Sequence, residues 1–130
     1  MYFDPKPGDT VSVQLYPSGR HEGIVGRNGY IIARSRRLGG VFAVPPSEFS
    51  NGKLRTNHGY IGVLGREQTL KRAEAMIGER GYNVISNNCL HFVNLVNGLP
   101  RDARMNENVA TRPGLHDLAT TLKRFRKFIG

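Results

Sequence analysis

The stretch Asn88-Cys89-Leu90-His91-Phe92-Val93, followed by Asn97-Gly98, decides the fold of this chain, because it predicts a short helix that begins at a cysteine. Asn88 and the two polar residues before it are N-cap candidates, and Gly98 is typical of a position just after a helix end. Phe92, Val93 and Val96 follow Cys89 at helical spacing. The thiol is therefore predicted on the inward side of the helix, facing whatever element packs there.

Cys89 is the only cysteine in the sequence, and its position allows two interpretations. Unpaired amide donors and the positive end of the helix dipole favour an anion at a helix start, which predicts a thiol pKa below the free value. Free cysteine is also among the most frequently buried residue types and then acts as a small hydrophobic side chain. Because end signals bracket the helix closely, the sequence favours a nucleophile over a core residue.

Strands precede helices in the predicted order of elements. Val11, Val13 and Leu15 alternate with polar residues, which is the period of a half-buried strand over residues 10–16. Further strands are predicted over 21–25, 30–35, 41–44 and 59–64, with Arg27-Asn28-Gly29 as a tight hairpin turn. Helical spacing covers residues 66–77, and a brief strand over 82–85 leads to the Cys89 helix. This order favours an α+β domain with an antiparallel sheet packed against helices.

With 130 residues and one cysteine, the chain is predicted to fold as one domain without an internal disulfide. A single thiol also excludes a zinc site built from several cysteines and is typical of a reducing compartment. The first residues lack the basic and apolar segments of a secretory signal, and no apolar run approaches the roughly 18 residues of a membrane-spanning helix. We therefore expect a cytoplasmic protein.

The formal net charge of +9 attracts nucleic acid, anionic lipid or acidic proteins without selecting among them. Arg34, Arg36 and Arg37 form one basic cluster, and residues 123–127 contain another, but no RNA-binding motif or zinc-finger spacing accompanies them. A solubilising surface is the favoured interpretation. Nucleic-acid binding is an alternative that is not favoured.

Residues 99–112 are rich in Arg, Asn and Asp and are predicted to be a loop or linker between a main domain over 1–98 and a C-terminal helix over 113–130. An apolar stripe with basic residues beside it runs along that helix. Packing on the same domain is favoured, because Arg126 lies inside the stripe and Phe128 outside it. Peripheral contact with an anionic membrane is the alternative.

A cysteine nucleophile needs a base that accepts its proton, and the chain has four histidines. His91 lies two positions after Cys89 on the same helix, so its side chain points about 200 degrees away around the axis. His58 follows a turn and His116 lies in the C-terminal tail, which is typical of surface histidines. His21, at the start of a central strand, is the best candidate for the base.

Several segments together resemble the lecithin:retinol acyltransferase-like branch of the NlpC-type papain-like hydrolases. These segments are Pro7-Gly8-Asp9, His21-Glu22-Gly23-Ile24-Val25-Gly26, Asn28-Gly29-Tyr30-Ile31-Ile32, Phe49, Arg72-Ala73 and Asn88-Cys89-Leu90-His91-Phe92-Val93. The most specific are the cysteine hexapeptide and the His-x-Gly-Ile strand, in the permuted order of this branch, with histidine before cysteine. The resemblance covers about residues 7–98.

The resemblance implies a permuted papain-like fold in which Cys89 attacks a carbonyl, His21 acts as general base and acid, and an acyl thioester separates two half-reactions. It implies a hydrolase or acyltransferase for ester or amide carbonyls of a lipid or peptide substrate, with the Cys89 amide as an oxyanion donor and with no cofactor. Lipid-acting members typically carry a third polar residue twelve positions after the histidine, where this chain has Ala33. Ser35 shares the predicted strand face of Ala33 and is the substitute candidate for orienting His21.

The missing polar residue keeps a second function open. Without an orienting group an imidazole can adopt the wrong tautomer, which in one serine protease costs about ten-thousandfold in rate. A catalytically weakened binding module, which holds nucleic acid or an acidic protein by its positive charge, is therefore the alternative. A metal site from His21, Cys89 and His58 is not predicted, because no pair has the sequence spacing of metal ligands.

Overall fold

The first four strands form an antiparallel meander, and the fifth strand pairs with the outer side of the first. A computed structural model describes residues 4–15, 19–83 and 88–104. The strands within these residues are β1 (Thr10–Gln14), β2 (Arg20–Val25), β3 (Ile31–Ser35), β4 (Gly40–Val44) and β5 (Arg55–Gly59), and the helices are α1 (Pro46–Ser50), α2 (Arg66–Met76) and α3 (Cys89–Val96). The sheet order is β4-β3-β2-β1-β5. The predicted α+β class, with an antiparallel sheet packed against helices, is confirmed and is consistent with an NlpC-like fold.

Each face of the sheet buries its own apolar cluster. On the α3 face, three sheet residues pack against α2 and α3, and the cluster comprises Ile24, Ile32, Val41, Ala73, Phe92, Val93 and Val96. On the α1 face, Phe49 packs against the sheet residues Val11, Val13, Val25, Ile31 and Ala33. Successive strand residues point to opposite faces, so His21 shares the α1 face with Val25, while Glu22 shares the α3 face with Ile24.

The hairpin between β2 and β3 forms as predicted, but the pairing of the two strands is short. The Gly26 N–H donates to the Tyr30 carbonyl oxygen at 2.7 Å across the turn. Described residues of β2 and β3 pair only at Ile24–Ile32 and Val25–Ile31, whereas β1 and β2 stay paired down to Gln14–Arg20. The start of β2 therefore keeps its β1 partner and has a free edge on the side of β3.

One predicted strand lies elsewhere in the structure, and one helix of the structure is not predicted by the sequence. The fifth strand is Arg55–Gly59 and not residues 59–64, because it is a largely exposed edge strand whose polar side chains give no alternating apolar signal. Residue Val63 instead donates its N–H to the Asn97 carbonyl oxygen after α3, at 3.0 Å. Helix α1 is absent from the predicted elements because Pro45-Pro46 indicates a break, yet Pro46 occupies the first helical turn, where an N–H is not needed.

The predicted cluster of three arginines is divided by the sheet. Arg34 is 1% exposed, pairs with Glu79 and donates to the Gly81 carbonyl oxygen at 2.7 Å. Arg36 and Arg37 are exposed. Only two of the three arginines therefore contribute to a surface.

The predicted C-terminal helix over 113–130 lies outside the described residues, as do residues 105–112 of the predicted loop and residues 84–85 of the predicted brief strand. The division into 1–98, 99–112 and 113–130 stays a prediction. In the described part of the loop, the Asn94 side-chain amide donates to the carbonyl oxygens of Arg101 and Ala103 at 2.9 and 2.7 Å. No helix within the described ranges is long and apolar enough to cross a bilayer.

Candidate active site

A reciprocal cap fixes the start of α3. Asn88 is the N-cap: its side-chain oxygen accepts the His91 backbone N–H at 3.0 Å, and His91 Nδ1 accepts the Asn88 backbone N–H at 3.4 Å. Since Nδ1 accepts, Nε2 carries the ring proton and donates to Asp102 Oδ1, 3.0 Å away. The buried His91 is thus engaged in holding the helix start, in agreement with its exclusion as the base.

The Cys89 thiol lies against the free edge of β2. Its Sγ is 3.7 Å from the Arg20 carbonyl oxygen, and the Glu22 backbone N–H donates toward the same sulfur. The backbone groups of Val25 bond to the β1 side, so those of the even-numbered residues of β2 face β3. Because pairing with β3 ends at Ile24, the thiol occupies the place where the ladder would continue.

His21 lies in the chain between the two residues whose backbone contacts the thiol. Its imidazole stacks on the Phe49 ring, with the centroids 4.8 Å apart and the planes inclined by 28°. Within the described residues the imidazole has no hydrogen bond, so the stacking contact is what orients it. The thiol lies at the free edge of the start of β2, and the imidazole lies on the α1 face of the sheet at the same strand.

A cavity of about 760 Å³ lies over this end of the sheet, within the size range of small-molecule sites. The three predicted site residues, Cys89, His21 and Ser35, all line it. Its apolar wall comes from Val13, Leu15, Ala33, Leu38, Phe42, Val44 and Phe49, and its polar lining includes Arg36, Arg37, Glu48, Lys53 and Tyr82. The structure thus brings the three residues around one ligand-sized space, while their catalytic roles stay predictions.

The predicted low pKa of the Cys89 thiol is wrong. Burial raises the pKa of Cys89 to about 11, and although backbone N–H groups oppose the rise, the nearby Glu22 carboxylate adds to it. Burial also lowers the pKa of His21 to about 4, together with the positive charges of Arg37 and Lys53. Desolvation of the sulfur outweighs the helix dipole, so at neutral pH the pair is a thiol and a neutral imidazole.

Ser35 shares the cavity with His21, but its role as the orienting group stays a prediction. Its hydroxyl oxygen accepts the Leu38 backbone N–H at 3.2 Å, which leaves the hydroxyl hydrogen able to donate elsewhere. Continued pairing in the register of Ile24–Ile32 would set Ser35 opposite His21, yet the ladder ends before that row. The imidazole of His21 instead stacks on the Phe49 ring.

His58 lies away from the cavity lining. It sits on β5 where the register with β1 shifts, and its Nε2 is 2.7 Å from Ser12 Oγ. It therefore does not join His21 and Cys89 around the cavity. In the part of the chain that the structure describes, no three His, Cys, Asp or Glu side chains are grouped closely enough to hold a metal ion.

Two aromatic residues of the cavity are given no site role in the sequence interpretation, although Phe49 is among the residues that resemble the family. The Phe49 ring stacks on His21, and the Tyr82 hydroxyl lies near the first residue of α3, Cys89. Burial, with the charge of a Cys89 thiolate, raises the pKa of Tyr82 to about 12, and the Cys89 backbone N–H opposes this rise by donating toward the phenol oxygen. No local pattern indicates either role, because both side chains reach the cavity from segments that only the tertiary fold brings together.

Residues 47–98 match the family model described as lecithin retinol acyltransferase. Over this range, which is less than half of the chain, the chain is similar to that family. The matched range contains α2, α3 and all of α1 except its first residue, and therefore Cys89 and Phe49, whereas His21 and Ser35 precede it. No curated protein matches the chain. The match supports the resemblance found in the sequence over residues 47–98 and indicates an acyltransferase or thiol hydrolase type of family.

Proposed function

We propose that the chain catalyses thiol-dependent acyl transfer, in which Cys89 attacks an ester or amide carbonyl and His21 accepts the thiol proton. One observation carries this proposal: the thiol contacts the backbone on both sides of His21, and both side chains line one cavity. The family match supports the same reaction class, and its range includes Cys89 but not His21.

Both groups are neutral at rest, so the proton moves as the sulfur attacks. The S–C bond forms while the thiol proton passes to the imidazole, and the carbonyl oxygen becomes an oxyanion. When the oxyanion collapses, the leaving alcohol or amine takes the proton from His21, and an acyl thioester remains on Cys89. Water, an alcohol or an amine then attacks the thioester with His21 again as base, which gives hydrolysis or acyl transfer.

Donors at the start of α3 support this mechanism, because they are candidates for stabilising the oxyanion. The backbone N–H groups of Cys89 and Leu90 belong to the first helical turn, where amides lack partners inside the helix, and both act on the sulfur. The Tyr82 hydroxyl stays protonated at neutral pH, because its pKa is about 12, and is therefore able to donate. Removing one donor from such a site typically costs about a hundredfold or more in rate.

The lining favours an acyl chain as the part of the substrate that fills the cavity. Seven apolar side chains line the space, and Val13, Phe42 and Val44 are among them. Burial of apolar surface contributes about 25 cal/mol per Å². A lipid ester uses this wall fully, and a peptide uses it where an apolar side chain precedes the scissile carbonyl.

Burst kinetics with p-nitrophenyl hexanoate test the proposal. We expect one equivalent of p-nitrophenol in a fast phase, followed by slower turnover as the thioester is hydrolysed. Cys89→Ala should abolish the burst, and His21→Gln should slow it by about a hundredfold or more. His58→Gln is the matched control, because His58 is remote from the cavity, and it should keep the burst. A burst that persists in Cys89→Ala would refute the proposal.

One observation favours a second candidate, a binding module without turnover. Cys89 is only 6% exposed and its thiol is protonated at neutral pH, which lowers its reactivity. The same burst assay separates the two candidates. A folded protein that gives no burst, and that binds duplex DNA with an affinity falling steeply with salt, would favour the binding module.

A further inference from the structure

The cavity carries more positive charge than its own acids balance. Three cationic side chains line it, Arg36, Arg37 and Lys53, and one carboxylate, Glu48. Arg37 pairs with Glu48 through an N–O distance of 2.8 Å. Within the described ranges, the Arg36 and Lys53 side chains have neither an ion pair nor a hydrogen bond. Two positive charges in the lining are therefore not balanced.

The reacting groups do not balance this charge either. Cys89 is a neutral thiol and His21 a neutral imidazole at neutral pH. The charge of Lys53 acts on His21, which places this lysine on the side of the base. The charge of Arg36 acts on Tyr82, which places this arginine toward the start of α3. One unbalanced cation thus acts on the candidate base and the other on Tyr82, and both line the same cavity.

An acyl group with an anionic end complements this cavity. The apolar wall of Val13, Phe42 and Val44 fits a short methylene chain, and the cationic lining fits a carboxylate or a phosphate. Resting on the proposed function, we propose that the acyl substrate carries an anionic group that binds Arg36 and Lys53 while its carbonyl lies against Cys89. The substrate class is then an ester or amide of an anionic acyl group, and the two basic residues determine specificity.

Three esters of equal length test this inference: p-nitrophenyl hexanoate, the mono-p-nitrophenyl ester of adipate and p-nitrophenyl ω-phosphonopentanoate. They differ only in a terminal methyl, carboxylate or phosphonate group. We expect kcat/KM for the better anionic ester to exceed that for hexanoate by about tenfold at low salt, with the advantage falling as salt rises. The ratio between the carboxylate and the phosphonate esters identifies which anion the site prefers.

Charge-removal variants locate the effect. Lys53→Gln and Arg36→Gln should each lower the ratio of kcat/KM for the anionic ester to kcat/KM for hexanoate by about fivefold, since hexanoate turnover in the same variant corrects for any effect on the reacting groups. Lys71→Gln is the matched control, because Lys71 is an exposed lysine on α2 outside the cavity lining, and it should leave the ratio unchanged. A wild-type ratio near one with active hexanoate turnover, or equal effects of Lys53→Gln and Lys71→Gln, would overturn the inference.

A binding measurement keeps the inference separate from the chemistry. Cys89→Ala cannot form a thioester, so calorimetric titration of this variant with the monoamide of adipate, ω-phosphonopentanamide and hexanamide reports binding alone. We expect the better anionic amide to bind more tightly than the neutral hexanamide, and Lys53→Gln in the same background to reduce that difference. Tighter anion binding without ester turnover would refute the proposed function and keep the anion site. Ester turnover without a preference for the anionic ligands would keep the proposed function and refute the anion site.

Discussion

The Cys89 thiol lies 3.7 Å from the Arg20 carbonyl oxygen, at the point where β2 has lost its pairing with β3. A side chain therefore occupies a place that a strand would otherwise fill. The contact buries the sulfur, and it also sets the sulfur beside the residue that follows Arg20 in the chain, which is His21. The short β2–β3 ladder is thus what makes room for the nucleophile candidate next to the base candidate.

The Cys89 thiol of the free protein should react slowly at neutral pH. Burial raises the pKa of Cys89 to about 11, so the rate of alkylation by iodoacetamide should keep rising beyond the pKa of a free thiol, about 8.5. Because the chain has one cysteine, the mass of the labelled protein reports this site alone. A midpoint below the free-thiol value would show that the helix dipole outweighs burial after all.

Phe49→Leu should lower kcat/KM for p-nitrophenyl hexanoate by up to about tenfold. A stacked aromatic pair contributes roughly 0.5–1.5 kcal/mol, and leucine fills much of the volume without holding the plane of the His21 ring. Phe42→Leu is the control, since Phe42 lines the same cavity and is not the ring stacked on His21. Equal losses in both variants would assign the effect to cavity shape and not to ring orientation.

Glu22→Gln should destabilise the fold strongly. Glu22 is fully buried on the α3 face, where it pairs with Arg20 at 3.1 Å and with Arg104. Breaking a buried pair leaves an uncompensated charge, which costs about 3–5 kcal/mol of the free energy of unfolding measured in urea.

Glu67→Gln is the matched control for that measurement. Glu67 pairs with Arg27 at 2.7 Å on the exposed surface, where water screens the pair. Its replacement should change the urea midpoint little. Similar midpoints for the Glu67 and Glu22 variants would contradict a stabilising role for the buried network.

Stability should fall as the pH drops from about 6.5 toward 4. The pKa of His21 is about 4 in the folded protein, below its ordinary value, so the unfolded chain binds more protons within this window and the free energy of unfolding rises with pH through it. The contribution of His21 to the free energy of unfolding is fully present above pH 6.5 and amounts to at most about 3 kcal/mol.

Urea unfolding at several pH values measures this contribution. The difference in the free energy of unfolding between wild type and His21→Gln isolates the part that comes from His21. The subtraction removes the carboxylates and also His91, whose pKa burial lowers in the same direction. A wild-type minus variant difference that stays flat between these pH values would show that His21 titrates normally in the folded protein.

The elements that the sequence predicts are those whose signals are local. Asn88 and Gly98 bracket the Cys89 helix, and alternating valines mark β1, because caps and strand periods depend on neighbouring residues. Strand β5 is missed since an exposed edge needs no apolar alternation. Helix α1 is missed since a proline at a helix start resembles a proline at a break.

The candidate site shows the same limit. Cys89 and His21 are found from helix-start chemistry and from the order of the two motifs, and the fold brings both to one cavity. The pKa of the thiol is predicted with the wrong sign, because burial against β2 is a tertiary effect that the helix start does not reveal. The site roles of Phe49 and Tyr82 are missed for that reason too, because their contacts join distant segments.

Intact mass after incubation with p-nitrophenyl hexanoate tests the Cys89–His21 chemistry most directly. We expect the wild-type protein to gain one hexanoyl group that hydroxylamine removes at neutral pH, as a thioester requires. The gain should be absent in Cys89→Ala and much slower in His21→Gln, with both variants folded by circular dichroism. A folded wild-type protein that gains no acyl group, or a hexanoyl adduct that persists in Cys89→Ala, would contradict thiol-dependent acyl transfer.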